Sequence, residues 1–203
     1  MQNENYLSIP SSILKTFIAL YVIHPLTYFL IILLAIGFSD FLKLVSIIAV
    51  LAPPIIAVFF ALFYFTNRKL KGYISSYLQG EEVNMEQMEL FVNNYSKRVS
   101  MYLLIGCAGG PLLTAMLGMI MGLFFSWQQA FFFFILGEIT AVIVTYILYY
   151  LAKTRLYPFS GVINYNPLRL VYKFSIPILA TILTVLTLAS VAIYKISLSN
   201  NFS

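Results

Sequence analysis

Residues 101–125 read MYLLIGCAGGPLLTAMLGMIMGLFF, with no charged side chain among them. About 20 mostly apolar residues carry an α-helix across the hydrocarbon core of a bilayer, so this stretch predicts a membrane-spanning helix. Within it Gly106, Gly110, Thr114, Gly118 and Gly122 recur at every fourth position. On a helix that spacing lines up small side chains along one face, and G-x-x-x-G units of this kind let a neighbouring backbone approach closely. Gly137, Ala141 and Thr145 repeat the spacing further along. The two segments are therefore expected to pack on each other. The same face could instead serve a homodimer or a larger membrane complex, or line a ligand cleft.

Four further apolar runs flank this one, at residues 16–38, 42–65, 131–152 and 174–194. The chain as a whole is 61% hydrophobic and 9% charged, with a mean hydropathy of +0.91. Soluble domains carry about a quarter charged residues. A globule of 203 residues could not hide this much apolar surface from water. The expectation is an all-α fold: one membrane domain, residues 1–203, forming a polytopic helical bundle of five transmembrane helices. Ser39-Asp40-Phe41 would join the first two spans, and the turn around Ser126-Trp127-Gln128-Gln129 the third and fourth. Both pairs then read as tight hairpins whose turns sit at the interface, where Trp127 is suited to the headgroups.

The basic residues test span number and orientation together. Lys15 precedes the first span; Arg68, Lys69, Lys71, Lys97 and Arg98 lie in the connection 66–100; Lys153, Arg155, Arg169 and Lys173 lie in the connection 153–173. With five spans all of these fall on one side, and only Lys43 and Lys195 on the other. The excess of Lys and Arg inside places the N-terminus and both long connections in the cytoplasm and the C-terminus outside, in a bacterial inner membrane. The net charge of +5 thus reads as topology and contact with lipid headgroups, and no nucleic-acid partner is expected. The polar N-terminus, Met1 to Pro10, has no basic segment leading into a short apolar core, so no cleaved signal peptide is expected.

The connection 66–100 carries its own signal. Asn84 followed by Gln87 resembles a helix-capping box. Met88, Val92, Tyr95 and Val99 then recur at helical spacing, with Glu86, Glu89, Asn93 and Lys97 largely off that stripe. An amphipathic cytoplasmic helix running into the third span is predicted. It would either rest on the headgroups or act as a lever.

Candidate functional residues lie inside the spans. Pro25, Pro53, Pro54, Pro111 and Pro177 each remove a helical hydrogen bond and make candidate hinges. Glu138 falls about two turns into the fourth span, roughly 10 Å deep. A carboxylate there has to face the bundle and find a partner or a proton. His24, near the middle of the first span, is either a packed neutral side chain or a ligand-binding group. There is one histidine and one cysteine, Cys107, so a bis-histidine haem, an internal disulfide and a structural zinc site within the chain are ruled out. There is no P-loop, dinucleotide fingerprint, H-E-x-x-H or cysteine–histidine pair. No catalytic residue, metal site or cofactor is expected.

Lys97-Arg98 before the Gly-rich span, the basic-aromatic stretch Lys153-Thr154-Arg155-Leu156-Tyr157-Pro158-Phe159, and the last helix entered through Arg169 to Lys173-Phe174-Ser175-Ile176-Pro177 form an ordered set. Over roughly residues 60–195 this order resembles the N-terminal membrane module of spirochaete-type membrane-bound adenylate/guanylate cyclases and of methyl-accepting chemotaxis receptors. The resemblance implies a sensory or regulatory membrane module of a bacterial signalling protein. Any cyclase activity would belong to an output domain that this sequence does not contain, so the chain itself is not expected to be an enzyme. The alternatives are a small solute transporter or substrate-binding membrane subunit, and a structural subunit of a membrane complex. The ligand is not specified by any of these residues.

Overall fold

A computed structural model describes residues 2–123 and 127–162. Four α-helices follow one another: α1 (Gln2–Ile36), α2 (Phe38–Leu78), α3 (Met85–Ile120) and α4 (Trp127–Arg155). A 3-10 turn, Tyr157–Gly161, follows. All four are long and apolar enough to cross a membrane, and there is no strand among the described residues. The fold is a membrane-type helical bundle. The expected span 174–194, with Pro177 and the basic residues Arg169, Lys173 and Lys195, lies outside the described residues.

Every helix exceeds the apolar run that predicts it. α2 has 41 residues, about 60 Å at 1.5 Å per residue, twice the roughly 30 Å hydrocarbon core. It continues through Arg68, Lys69 and Lys71 to Leu78, so the first part of the connection 66–100 is helical rather than a link. α3 begins at Met85, capped by the Asn84 side chain, whose Oδ1 accepts from the Gln87 N–H at 3.0 Å. It runs without a break into the Gly-rich span. Together the end of α2 and the start of α3 make a helical hairpin.

Two turn positions differ from the sequence expectation, and glycine explains both. α1 passes into α2 through Gly37 alone, at φ 85°. Ser39-Asp40-Phe41 is therefore not the joint but the first turn of α2, where Asp40 favours the positive helix end and pairs with Lys43 at 2.9 Å. A residue without Cβ takes the left-handed conformation at no steric penalty, so the chain turns there. Likewise α3 ends at Ile120 instead of 125. Gly122, at φ 66°, stops it: its N–H donates to the Met119 carbonyl and the Leu123 N–H to the Gly118 carbonyl. This pair of bonds is a Schellman motif, with Leu123 buried behind it. Gly122 is thus a helix stop and not a member of the small-residue face. Trp127, Gln128 and Gln129 begin α4 rather than forming a turn.

The packing makes the helices alternate in direction. One core cluster joins Ile13 and Phe17 of α1, Phe63 and Leu70 of α2, Met88 and Val99 of α3, and Leu148 and Ala152 of α4. The other joins Tyr28 and Ile32, Leu44 and Ile48, Ala115, and Phe133 and Leu136. Every described basic residue except Lys43 belongs to the end marked by the first cluster. There the helices are also tied by polar contacts. Asn67 Nδ2 donates to the Pro10 carbonyl at 3.2 Å, and the Tyr95 hydroxyl donates to Asn67 Oδ1 at 2.7 Å, linking α1, α2 and α3. Arg155 Nη1 donates to Ser12 Oγ, and the Tyr6 ring meets Phe159 with centroids 5.0 Å apart. Lys69 and Arg98 both lie over the Phe91 ring, at 5.2 and 5.7 Å from its centroid, within cation–π range.

Outward faces are apolar. Val50 is 75% exposed and Ile120 78%, and such side chains recur along α1, α2 and α3. In water this surface would drive aggregation; in lipid it meets its own kind.

Candidate functional site

Between the two clusters a cavity of about 310 Å³ opens among α1, α2 and α3. That is the lower end of the usual range for ligand pockets. Its walls explain its position. Pro25, Pro53 and Pro111, one from each helix, all line it. Each lies near the middle of its apolar run. Gly106, Gly109 and Gly110 form the α3 wall. A methyl group built on Gly109 or Gly110 would meet nothing within 4 Å, so these positions face open space rather than a neighbouring helix. Gly106 is closely covered, with Tyr21 and Phe59 within 3.0–3.4 Å of the built Cβ.

The small-residue face of α3 therefore serves different neighbours along its length. Gly106 meets α1 and α2, Gly110 and Thr114 line the cavity, and Gly118 is buried. α3 packs most extensively on α4, but the closest approach uses Pro111 rather than a glycine of α3. A Cβ on Gly137 would lie 2.3 Å from Pro111 Cγ and 2.9 Å from Tyr28 Cε2. Gly137 thus has the role that small-residue spacing assigns to it, while its partner is a proline ring. Ala141, one turn on, is fully buried.

The Gly137 carbonyl gathers polar contacts. Thr140 Oγ1 donates to it at 2.8 Å, and His24 Nε2 lies 3.4 Å away. A carbonyl only accepts, so this contact is a hydrogen bond in the tautomer that carries its proton on Nε2. His24 is buried, lines the cavity and stacks loosely with Tyr28 at 6.4 Å. Thr114 Oγ1 donates to the Gly110 carbonyl of its own helix at 2.9 Å.

Glu138 occupies a different place. It is half-buried on α4, within electrostatic reach of Tyr28 and Cys107, but it does not line the cavity. His24 and Glu138 thus share a level of the bundle without forming one site. Among the described residues no cluster of three metal-ligating side chains exists. Pro54 follows Pro53 on the exposed side of α2. The hub residue Asn67 carried no sequence signal of its own: beside Arg68 and Lys69 it reads as an ordinary interfacial residue.

Compared with protein-family models, with curated proteins and with solved structures, the chain matches none.

Proposed function

We propose that this chain is a membrane-embedded sensory or regulatory module with its basic end in the cytoplasm. A ligand entering the cavity between α1, α2 and α3 would reset how α2 and α3 lean against α1. One observation carries this reading: α2 and α3 both run unbroken from the cavity wall, at Pro53 and Gly110, into the hairpin that ends at residues 79–84. A tilt at the prolines therefore has no joint in which to dissipate before it reaches that hairpin. Prolines weaken each helix where the cavity lies, because the ring removes one backbone bond and crowds the preceding turn. A ligand shifts such an equilibrium only by its preference for one packing, and a cavity that closes in the other packing supplies that preference. The ordered resemblance to cyclase and chemoreceptor membrane modules agrees with it.

Gly110→Leu tests the idea, since it fills the cavity at a position where an added Cβ meets nothing. With the chain fused to a cyclase output, cyclic nucleotide production is expected to change at least about fivefold and to lose its response to added lipophiles. Unchanged output from a variant with wild-type Tm would remove the cavity from the mechanism.

A further inference from the structure

A second cleft, of about 530 Å³, opens between α1 and α2 at the basic end of the bundle. Leu7, Ser11 and Leu14 of α1 face Tyr64, Arg68 and Lys71 of α2 across it. Each set has the spacing i, i+4, i+7, which puts its members on one side of a helix. The two helices run antiparallel here. Phe17 stacks on Phe63 with centroids 3.9 Å apart, and Asn67 Nδ2 donates to the Pro10 carbonyl. Leu14 and Tyr64 therefore mark one end of the cleft, and Leu7 and Lys71 the other.

Its place and its charge select an occupant. Up to the cleft α2 exposes Leu62, Tyr64 and Phe65, the side chains of a lipid-facing surface; beyond them it exposes Arg68, Lys69 and Lys71. The cleft thus straddles the boundary between hydrocarbon and headgroups, where an aromatic side chain such as Tyr64 is at home. Other cations at this end are engaged: Lys69 and Arg98 lie over the Phe91 ring, and Arg155 donates to Ser12. Arg68 and Lys71 have no ion-pair, hydrogen-bond or ring partner among the described residues. No residue lining the cleft is an aspartate or glutamate. Like charges three residues apart on a helix repel, and an anion seated between them removes that cost.

Arginine offers paired N–H donors to phosphate oxygens, and lysine adds a point charge. A soluble phosphate would satisfy both cations but leave Leu14 and Tyr64 uncovered. A zwitterionic lipid would bring a cation of its own to a site that already holds two. Basic pockets between helices on the cytoplasmic side suit anionic headgroups. We propose that this cleft holds one anionic phospholipid of the cytoplasmic leaflet, its phosphate between Arg68 and Lys71 and its chains passing Leu14 and Tyr64. The site is separate from the cavity among α1, α2 and α3 and stands whatever that cavity binds. It also differs from the general pull of basic residues on headgroups, because it fills with one lipid and needs two particular cations.

The test is native mass spectrometry of the full chain, titrated in detergent micelles with phosphatidylglycerol or with phosphatidylcholine of the same chains. One phosphatidylglycerol is expected to be retained at about tenfold lower concentration than phosphatidylcholine. Arg68→Gln with Lys71→Gln should abolish that preference. Lys97→Gln with Arg98→Gln, which removes the same charge from exposed positions outside the cleft, should leave it intact. Circular dichroism checks that both double variants keep the wild-type helix content. Soluble glycerophosphoglycerol, the same headgroup without chains, should not displace the lipid at equal concentration. Equal retention of the two lipids by the wild-type chain overturns the proposal. So does a preference that survives the cleft variant, or one that both double variants lose alike. Displacement by glycerophosphoglycerol overturns the lipid assignment in favour of a soluble phosphate.

Discussion

Gly137→Ala is expected to cost the bundle about 3 kcal/mol, although it adds one methyl group. The methyl would sit 2.3 Å from Cγ and 2.4 Å from Cβ of Pro111, and 2.9 Å from Tyr28 Cε2. A proline ring has no rotamer into which it can retreat, and Pro111 lies inside α3 with more than two helical turns on either side. Relief therefore requires α3 and α4 to separate, and this is the most extensive interface among the helices. Separation also disturbs the Gly137 carbonyl, on which Thr140 and His24 converge. In lipid no hydrophobic drive compensates, because the tails are as apolar as the side chains they replace; close packing supplies much of the association. The paired control is Gly109→Ala, where nothing lies within 4 Å of the added carbon. Exchanging glycine for alanine in an open helical position is neutral or stabilising by up to about 1 kcal/mol. Unfolding in mixed micelles with increasing dodecyl sulfate should separate the two variants clearly. Equal stability of the two would show that α3 and α4 do not meet at Pro111 and Gly137.

Asn67→Leu is expected to destabilise by about 2 kcal/mol for a different reason. Tyr95 is fully buried, and its hydroxyl donates to Asn67 Oδ1 at 2.7 Å. Leucine keeps the volume roughly constant but strands that hydroxyl, and a stranded buried donor costs about 1–3 kcal/mol. The same change removes the link from Asn67 Nδ2 to the Pro10 carbonyl, which ties α1 to the other two helices. Adding Tyr95→Phe should recover about half of the loss, because both polar partners are then gone. The double-mutant cycle measures the coupling directly. A double variant no more stable than Asn67→Leu alone would mean that Tyr95 and Asn67 do not depend on each other.

What the sequence reveals here follows from the range of the forces involved. Apolar runs, the Asn84 cap and the gathering of Lys and Arg at one end are local or periodic signals, and among the described residues four of the five runs, the cap and the basic residues other than Lys43 stand in the order the residues predict. Helix ends were less legible. The run 42–65 stops at the first charges, whereas α2 continues for three more turns, because its polar continuation packs Leu70 and Ile74 against Met88 and Val92. The turns moved to Gly37 and Gly122 because positive φ outweighs the polarity of nearby Ser and Asp. The candidate site was half visible. Three prolines at mid-span are plain in the sequence, and so is the identity of the carbonyls they release. That these carbonyls belong to residues around one cavity depends on how α1, α2 and α3 pack together, a long-range property. The every-fourth-residue stripe of α3 read as one seam, yet its members face different neighbours, since with 3.6 residues per turn each fourth residue advances about 40° around the helix.

The account stands or falls on the α2–α3 hairpin and the Gly37 turn lying on opposite sides of the membrane. Single cysteines at Ser39 and Glu82, both exposed, report this; the native Cys107 is buried and stays silent. Intact bacterial cells expressing each variant are treated with a membrane-impermeant maleimide, before and after the cells are opened. The cysteine at 39 should label from outside, and the cysteine at 82 only once the cytoplasm is exposed. Labelling of both positions from outside, or of neither until the cells are opened, would contradict the bundle's placement and the lever built upon it.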